Sequence, residues 1–251
     1  METWILLRGL TRSSAHWAGF DRELGEALSV RVITLDLPGN GLLFSRRSPS
    51  TVQGMASHCR NALRALGVTE PVGILAMSLG GMVAAQWAAQ WPQEVRELVL
   101  INTSSRPFNP VWQRMRPSAI ADLLKPLLVR GGANTWESAI LRRTANHPQK
   151  AVLQDWRFER VLRPVTKANV WRQLLAAARY RAPLVAPVPT LVLAGERDRL
   201  VNMACSRALA QHWGSVLRVH PTAGHDLTLD DPPWVIEEIR RWRESARPQL
   251  M

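Results

Sequence analysis

The run Ile74-Leu75-Ala76-Met77-Ser78-Leu79-Gly80-Gly81-Met82-Val83 joins two kinds of pattern at one serine. An apolar, strand-like run stops at Ser78, and a helical pattern with two glycines begins straight after it. A sharp strand-to-helix turn forces its serine into a sparsely populated backbone conformation and lifts Oγ above the sheet edge. Gly80 lets helix and strand approach without a Cβ clash. The Leu79 N–H, free at a helix start, can point at a developing oxyanion. Such turns are usually written G-x-S-x-G, and here the first position is Ala76. Alone, the pattern also fits a strand–turn–helix junction with an incidental serine.

Two distant segments favour the chemical reading. Leu191-Val-Leu-Ala-Gly195-Glu-Arg-Asp198 is a strand followed by G-x-x-D. An acid just past a strand end can accept the Nδ1–H of a histidine and fix its tautomer. Thr222-Ala-Gly-His225-Asp226 follows another strand and precedes the last helix, so His225 falls on a loop at the same sheet edge. The chain order is Ser78, Asp198, His225. Glu196 comes too early in its turn, and Asp226, beside His225, reads as structural. His16, His58, His147, His212 and His220 lack a strand-end setting.

The rest of the chain supplies the frame. Thr3–Leu7, Val30–Leu37, Val72–Met77, Leu98–Thr103, Thr190–Ala194 and Val216–His220 read as buried strands. Ala15–Leu28, Met55–Leu66, Leu79–Trp91, Met203–Trp213 and Pro233–Arg243 read as helices between them. Alternation of this kind predicts an α/β fold, a mainly parallel sheet flanked by helices. It stops between Ser104 and Ala186. There the patterns are helical: Val111–Met115, Ala119–Val129, Thr135–Thr144, Lys150–Arg160 and Lys167–Arg179. Residues 1–103 and 187–251 are thus expected to form the core, and 104–186 a helical cap over the strand ends.

Composition excludes several classes. The 251 residues are 46% hydrophobic and 21% charged, which suits a folded domain and rules out wholesale disorder. No apolar run approaches the ~20 residues of a membrane span, and the first residues do not read as a secretory signal. The expected location is the cytoplasm. Cys59 and Cys205 have no metal-like spacing, so no metal is expected. The net charge is +12, with only three lysines, Lys125, Lys150 and Lys167. Residues 106–181 hold 15 basic and four acidic groups, so nearly all of the excess lies in the expected cap.

Taken together, these motifs resemble the α/β-hydrolase superfamily. Leu35-Asp36-Leu-Pro-Gly39-Asn-Gly41 is similar to its D-x-P-G-x-G turn, and Trp91-Pro92-Gln-Glu-Val95 to its H-P-E-x-V turn. Met77–Ala84 and Leu98–Ser105 resemble the small pimeloyl-acyl-carrier-protein methyl ester esterases. The resemblance implies an α/β-hydrolase fold and a carboxylesterase mechanism: Ser78 as nucleophile, His225 as general base and acid, Asp198 orienting His225. It needs no cofactor. Leu6-Leu7-Arg8-Gly9-Leu10 ends the first strand, and the family uses this loop for a second oxyanion donor, here Leu10 beside Leu79. Arg8 replaces the usual histidine. It reads either as a buried ion-paired arginine or as a group binding a substrate carboxylate.

The resemblance also implies a cap whose arginines hold an acidic carrier protein. Arg157, Arg160 and Arg163 recur every three residues, with Arg142, Arg143 and Arg172 nearby. A solvated helix face, an acidic partner and a small anionic substrate all fit; no nucleic-acid motif is present. Trp112, Trp136, Trp156 and Trp171, with Leu123, Leu124, Leu127 and Leu128, are expected to pack the cap onto the core, one or two of them lining an acyl pocket. Three reaction readings stay open: ester hydrolysis; thioester, lactone, C–C or perhydrolase chemistry on the same triad; and a binding protein that has lost catalysis.

Overall fold

A computed structural model describes residues 1–120, 122, 133–146 and 150–246. The six strands are β1 (Thr3–Leu7), β2 (Arg31–Leu35), β3 (Val72–Met77), β4 (Val95–Ile101), β5 (Thr190–Gly195) and β6 (Val216–His220). They form one parallel sheet in the order β2-β1-β3-β4-β5-β6. Trp4–Leu7 of β1 are all buried, as a strand covered on both faces requires, and successive side chains point to opposite faces. Ile5 and Leu7 join one apolar cluster with α2 (Val52–Ala65) and α3 (Leu79–Gln90). Trp4 and Leu6 join the other, with α1 (Phe20–Leu28).

Strand order reverses direction between β1 and β3. The chain steps outward to β2, then returns to the far side of β1. The loops leaving the C-terminal ends of β1 and β3 therefore diverge, and a crevice opens between them. Arg8–Ser13 form one lip of that crevice, and Ser78 stands on the other.

Some boundaries differ from the sequence reading for local reasons. The helix expected over Ala15–Leu28 is split into a 3-10 turn at Ser14–Trp17 and α1, because Ala18 and Gly19 both take positive φ (53° and 93°). β2 stops at Leu35, and Asp36 turns away to accept from Ser14 N–H and Leu42 N–H. β4 starts at Val95, three residues earlier than expected, across a register shift at Val72 and Gly73. Its charged Arg96 and Glu97 mask the strand pattern.

Between residues 104 and 186 the described elements are the short α4 (Val111–Arg114), then α5 (Ala133–Thr144), α6 (Lys150–Leu162) and α7 (Lys167–Arg179). Residues 123–132, most of the helix expected over Ala119–Val129, lie outside the described residues, as do Leu123, Leu124, Leu127, Leu128, Lys125 and His147. Trp136 and Trp156 are buried, but Trp112 and Trp171 are more than half exposed and do not pack the segment onto the sheet. Arg106 and Arg181 bridge side by side where the segment leaves and rejoins the sheet layer. The chain then closes with α8 (Ala204–Trp213), α9 (Leu227–Asp230) and α10 (Pro232–Ala246).

Candidate active site

Ser78 sits at φ 54°, ψ −119°, between β3 and α3. A left-handed φ is unfavourable for a residue with a Cβ. The turn is held from several sides: Ser78 N–H donates to Ile101 O, Thr103 Oγ1 donates to Ser78 O, and Gly81 N–H closes on Ser78 O. The first turn of α3 lies directly on the end of β1. A Cβ at Gly80 would fall 2.5 Å from Leu7 O and 2.6 Å from Arg8 O. Neither backbone carbonyl can yield cheaply. Gly80→Ala is expected to cost about 1–3 kcal/mol, a Tm fall of roughly 3–9 °C. Calorimetry of the variant checks this, and an unchanged Tm would show that the two elements are free to separate.

His225 and Asp198 meet. Asp198 Oδ2 lies 2.7 Å from His225 Nδ1, and both residues are buried. Asp198 Oδ1 accepts from Leu200 N–H (2.7 Å) and Val201 N–H (2.9 Å), so both carboxylate oxygens are bonded and the plane is fixed. His225 and Ser78 line the same cavity of about 50 Å³, together with Leu10 and Arg8. Ser78, Leu10 and Leu79 also line a second, apolar cavity of about 230 Å³ with Met82, Trp171 and Leu174. His225 lines only the first of the two.

Leu79 follows Ser78 in the chain, and Leu10, on the loop after β1, lines the same apolar cavity. Among the described residues neither backbone N–H donates to a protein acceptor. Gly9 brings the Leu10 loop onto the Ser78 turn: a Cβ there would meet Ser78 Cβ at 3.0 Å.

Arg8 is buried and its charge is matched within the protein. Nη2 lies 2.5 Å from Asp226 Oδ2, Nη1 3.1 Å from Asp226 Oδ1, and the guanidinium stacks 4.7 Å over Trp17. Burial alone would raise the Asp226 pKa; the Arg8 charge outweighs it and holds the carboxyl below its ordinary value. Asp226 thus orients Arg8, while Asp198 faces the imidazole. Asn102 was not expected at the site. Its side chain donates to Gly224 O (3.1 Å) and His225 O (2.8 Å), and accepts from Gly195 N–H (3.0 Å). It fastens the histidine loop to β5. Its only sequence signal is an asparagine at a strand end, and it takes φ 47° there.

The arginine row does not face outward as one surface. The Arg160 side chain is 11% exposed and pairs with Glu137 at 2.8 Å. Arg163 pairs with Glu159 at 2.5 Å, and Arg157 donates to Ser138 Oγ. Arg143 pairs with Asp122 and also lines the Ser78–His225 cavity. Arg142 is exposed. Three-residue spacing along α6 marks helix position, but inward carboxylates decide where these guanidiniums point. Burial pushes the Cys59 and Cys205 thiols up to about 12, so neither offers a thiolate near neutral pH. No helix among the described residues is long and apolar enough to cross a membrane, and no cluster among them is suited to a metal ion.

Comparison with known proteins places this frame. A family model described as alpha/beta hydrolase fold matches residues 4–232, and the chain belongs to that family. An uncharacterised protein of Mycobacterium tuberculosis is 28% identical over 264 aligned positions, covering 97% of this chain and 76% of the relative. The biotin biosynthesis bifunctional protein BioHC of Cellvibrio japonicus is 25% identical over 96% of this chain, which spans 47% of that longer protein. Among solved structures, a thermophilic esterase from Thermogutta terrifontis superposes with a TM-score of 0.77 at 24% identity, covering 98% of this chain and 90% of its own.

Proposed function

We propose that the protein is a serine carboxylesterase working through an acyl-enzyme. The observation that carries this reading is the buried Asp198–His225 contact, whose imidazole lines the same pocket as the strained Ser78. Ser78 Oγ attacks the acyl carbonyl while His225 takes its proton. Asp198 keeps Nδ1 protonated and stabilises the imidazolium. The N–H groups of Leu10 and Leu79 receive the oxyanion; one such donor is typically worth ~3–4 kcal/mol. His225 returns the proton to the leaving alcohol, and water then repeats the cycle on the acyl-enzyme. Family membership supports the reaction class.

The two cavities support a finer reading. His225 must protonate the leaving alcohol, so the leaving group belongs in the cavity His225 lines. That cavity, of about 50 Å³, is much the smaller of the two and suits a small leaving group. The apolar cavity away from His225 would take the acyl chain. A methyl ester fits this division. We read residues 104–186 as the cap that closes over both. Docking of an acidic acyl carrier protein on that cap has weaker support, because Arg160 and Arg163 already have carboxylate partners.

The test is labelling by a fluorophosphonate, whose leaving group is small. Wild type should be modified and Ser78→Ala should not. A wild-type chain left unmodified would favour the reading of a non-catalytic binding protein.

A further inference from the structure

The loop after β1 is gripped by the helical segment one residue at a time. Thr11 N–H donates to Gln173 Oε1 on α7 at 2.9 Å. Arg12 pairs with Glu137 on α5 at 2.6 Å, and Ser13 Oγ donates to Glu159 on α6 at 3.0 Å. Leu10 stands immediately before these three. Arg12 N–H to Gly9 O (3.2 Å) closes a turn over Gly9–Arg12, with Thr11 third at φ 56°.

Positive φ at the third residue is the mark of a type II turn, and that position favours glycine. A β-branched threonine there is strained. Flipping the Leu10–Thr11 peptide to the type I form would relieve the strain. It would also turn Thr11 N–H away and swing the Leu10 carbonyl into its place. Type I and type II turns share the same φ at the second residue, so the flip leaves the Leu10 N–H pointing as before but releases the loop from α7. We propose that Gln173, by tying the residue after Leu10 to α7, prevents this release and acts as a positioning residue for the Leu10 oxyanion donor, an inference that rests on the serine-esterase reading.

The hydrogen-bond directions around Gln173 carry the inference. Ser48 Oγ donates its one proton to Pro38 O (2.5 Å), so towards Gln173 Nε2 (3.0 Å) it can only accept. Asn40 Nδ2 donates to Arg12 O (2.9 Å), which leaves Asn40 Oδ1 facing Gln173 Nε2 at 2.8 Å. Both Nε2 hydrogens are therefore committed. Oε1 is the atom left for the turn: it accepts Thr11 N–H and would repel a carbonyl brought there by a flip. Gln173 is fully buried, so no water competes for the position.

Two variants and three readouts test this. Gln173→Leu removes the acceptor and should lower kcat for methyl butyrate about 10–100-fold, with KM within about twofold. Gln173→Glu keeps an acceptor for Thr11 and, when protonated, one donor. Its kcat should stay within about fivefold of wild type. Thr11 amide exchange should be slow in wild type and Gln173→Glu but fast in Gln173→Leu. A folded Gln173→Leu protein with wild-type kcat would overturn the proposal, as would a Gln173→Glu protein that loses as much as Gln173→Leu. If Gln173→Leu does not fold, Gln173→Glu and its Thr11 exchange decide alone. Amide exchange reports the turn whether or not the chain hydrolyses esters, so failure here is separable from failure of the esterase reading.

Discussion

In Ser78→Ala, kcat for methyl butyrate should fall by about 10⁶-fold, the loss met when a serine hydrolase forfeits its nucleophile. Residual turnover of about 10³–10⁴ over water would come from the oxyanion donors and substrate binding. KM should change little, because in the proposed mechanism Ser78 Oγ acts in the transition state. Asp198→Asn should lose about 10⁴-fold, since an amide at that position favours the wrong imidazole tautomer. Titrimetric assay of the three proteins side by side checks both losses. A Ser78→Ala protein retaining more than about a hundredth of wild-type kcat would point to another nucleophile. Stability should move separately. At φ 54° an alanine is as strained as the serine, whereas Ser78→Gly should be more stable than Ser78→Ala by up to about 1 kcal/mol.

Glu137→Gln should be the most damaging single change to stability, at about 3–5 kcal/mol. Glu137 is fully buried on α5 and bridges Arg12 (2.6 Å) and Arg160 (2.8 Å), whose guanidiniums stack on Trp156 and Trp136. Without the carboxylate, two buried cations face each other. Burial alone would raise the Glu137 pKa, but Arg12 and Arg160 outweigh it and hold the group below its ordinary value of 4.5. A depressed carboxyl pKa stabilises the fold fully above the unfolded value and loses that contribution as pH falls through the folded value. The gap between wild type and Glu137→Gln should therefore be constant above about pH 5 and shrink below about pH 4.5. Urea unfolding at a series of pH values measures it; a gap that does not narrow in acid would argue against the carboxylate as its source. His16 works in a higher window. Burial first, and then the charges of Arg12, Arg8 and Arg160, hold its pKa well below 6.5. Both proteins should lose stability as pH drops below about 6.5.

Local patterns carried most of the architecture into the sequence. β1, β3 and β6 begin and end where apolar β-rich runs do. The turn at Ser78 was legible because a strand, a serine and two glycines are neighbours in the chain. Asp198 and His225 were legible because each follows a strand. What stayed hidden is side-chain pairing over long separations. Nothing near Arg8 announces Asp226, and nothing in Thr135–Thr144 marks Glu137 as the buried acid between Arg12 and Arg160. The regular spacing of Arg157, Arg160 and Arg163 suggested a common surface, whereas Glu137 and Glu159 draw two of them into ion pairs. Gln173 was silent for the same reason: its importance lies in which way its amide must point.

Arg106 and Arg181 give the helical excursion two adjacent feet on the sheet layer. An insertion whose two ends leave and rejoin the sheet layer side by side can change length with little effect on strand spacing, because lengthening a closed loop adds only about 0.6 kcal/mol per doubling. The constraint on any such change is chemical: it must keep an acceptor for the amide of Thr11 and an acid for Arg12.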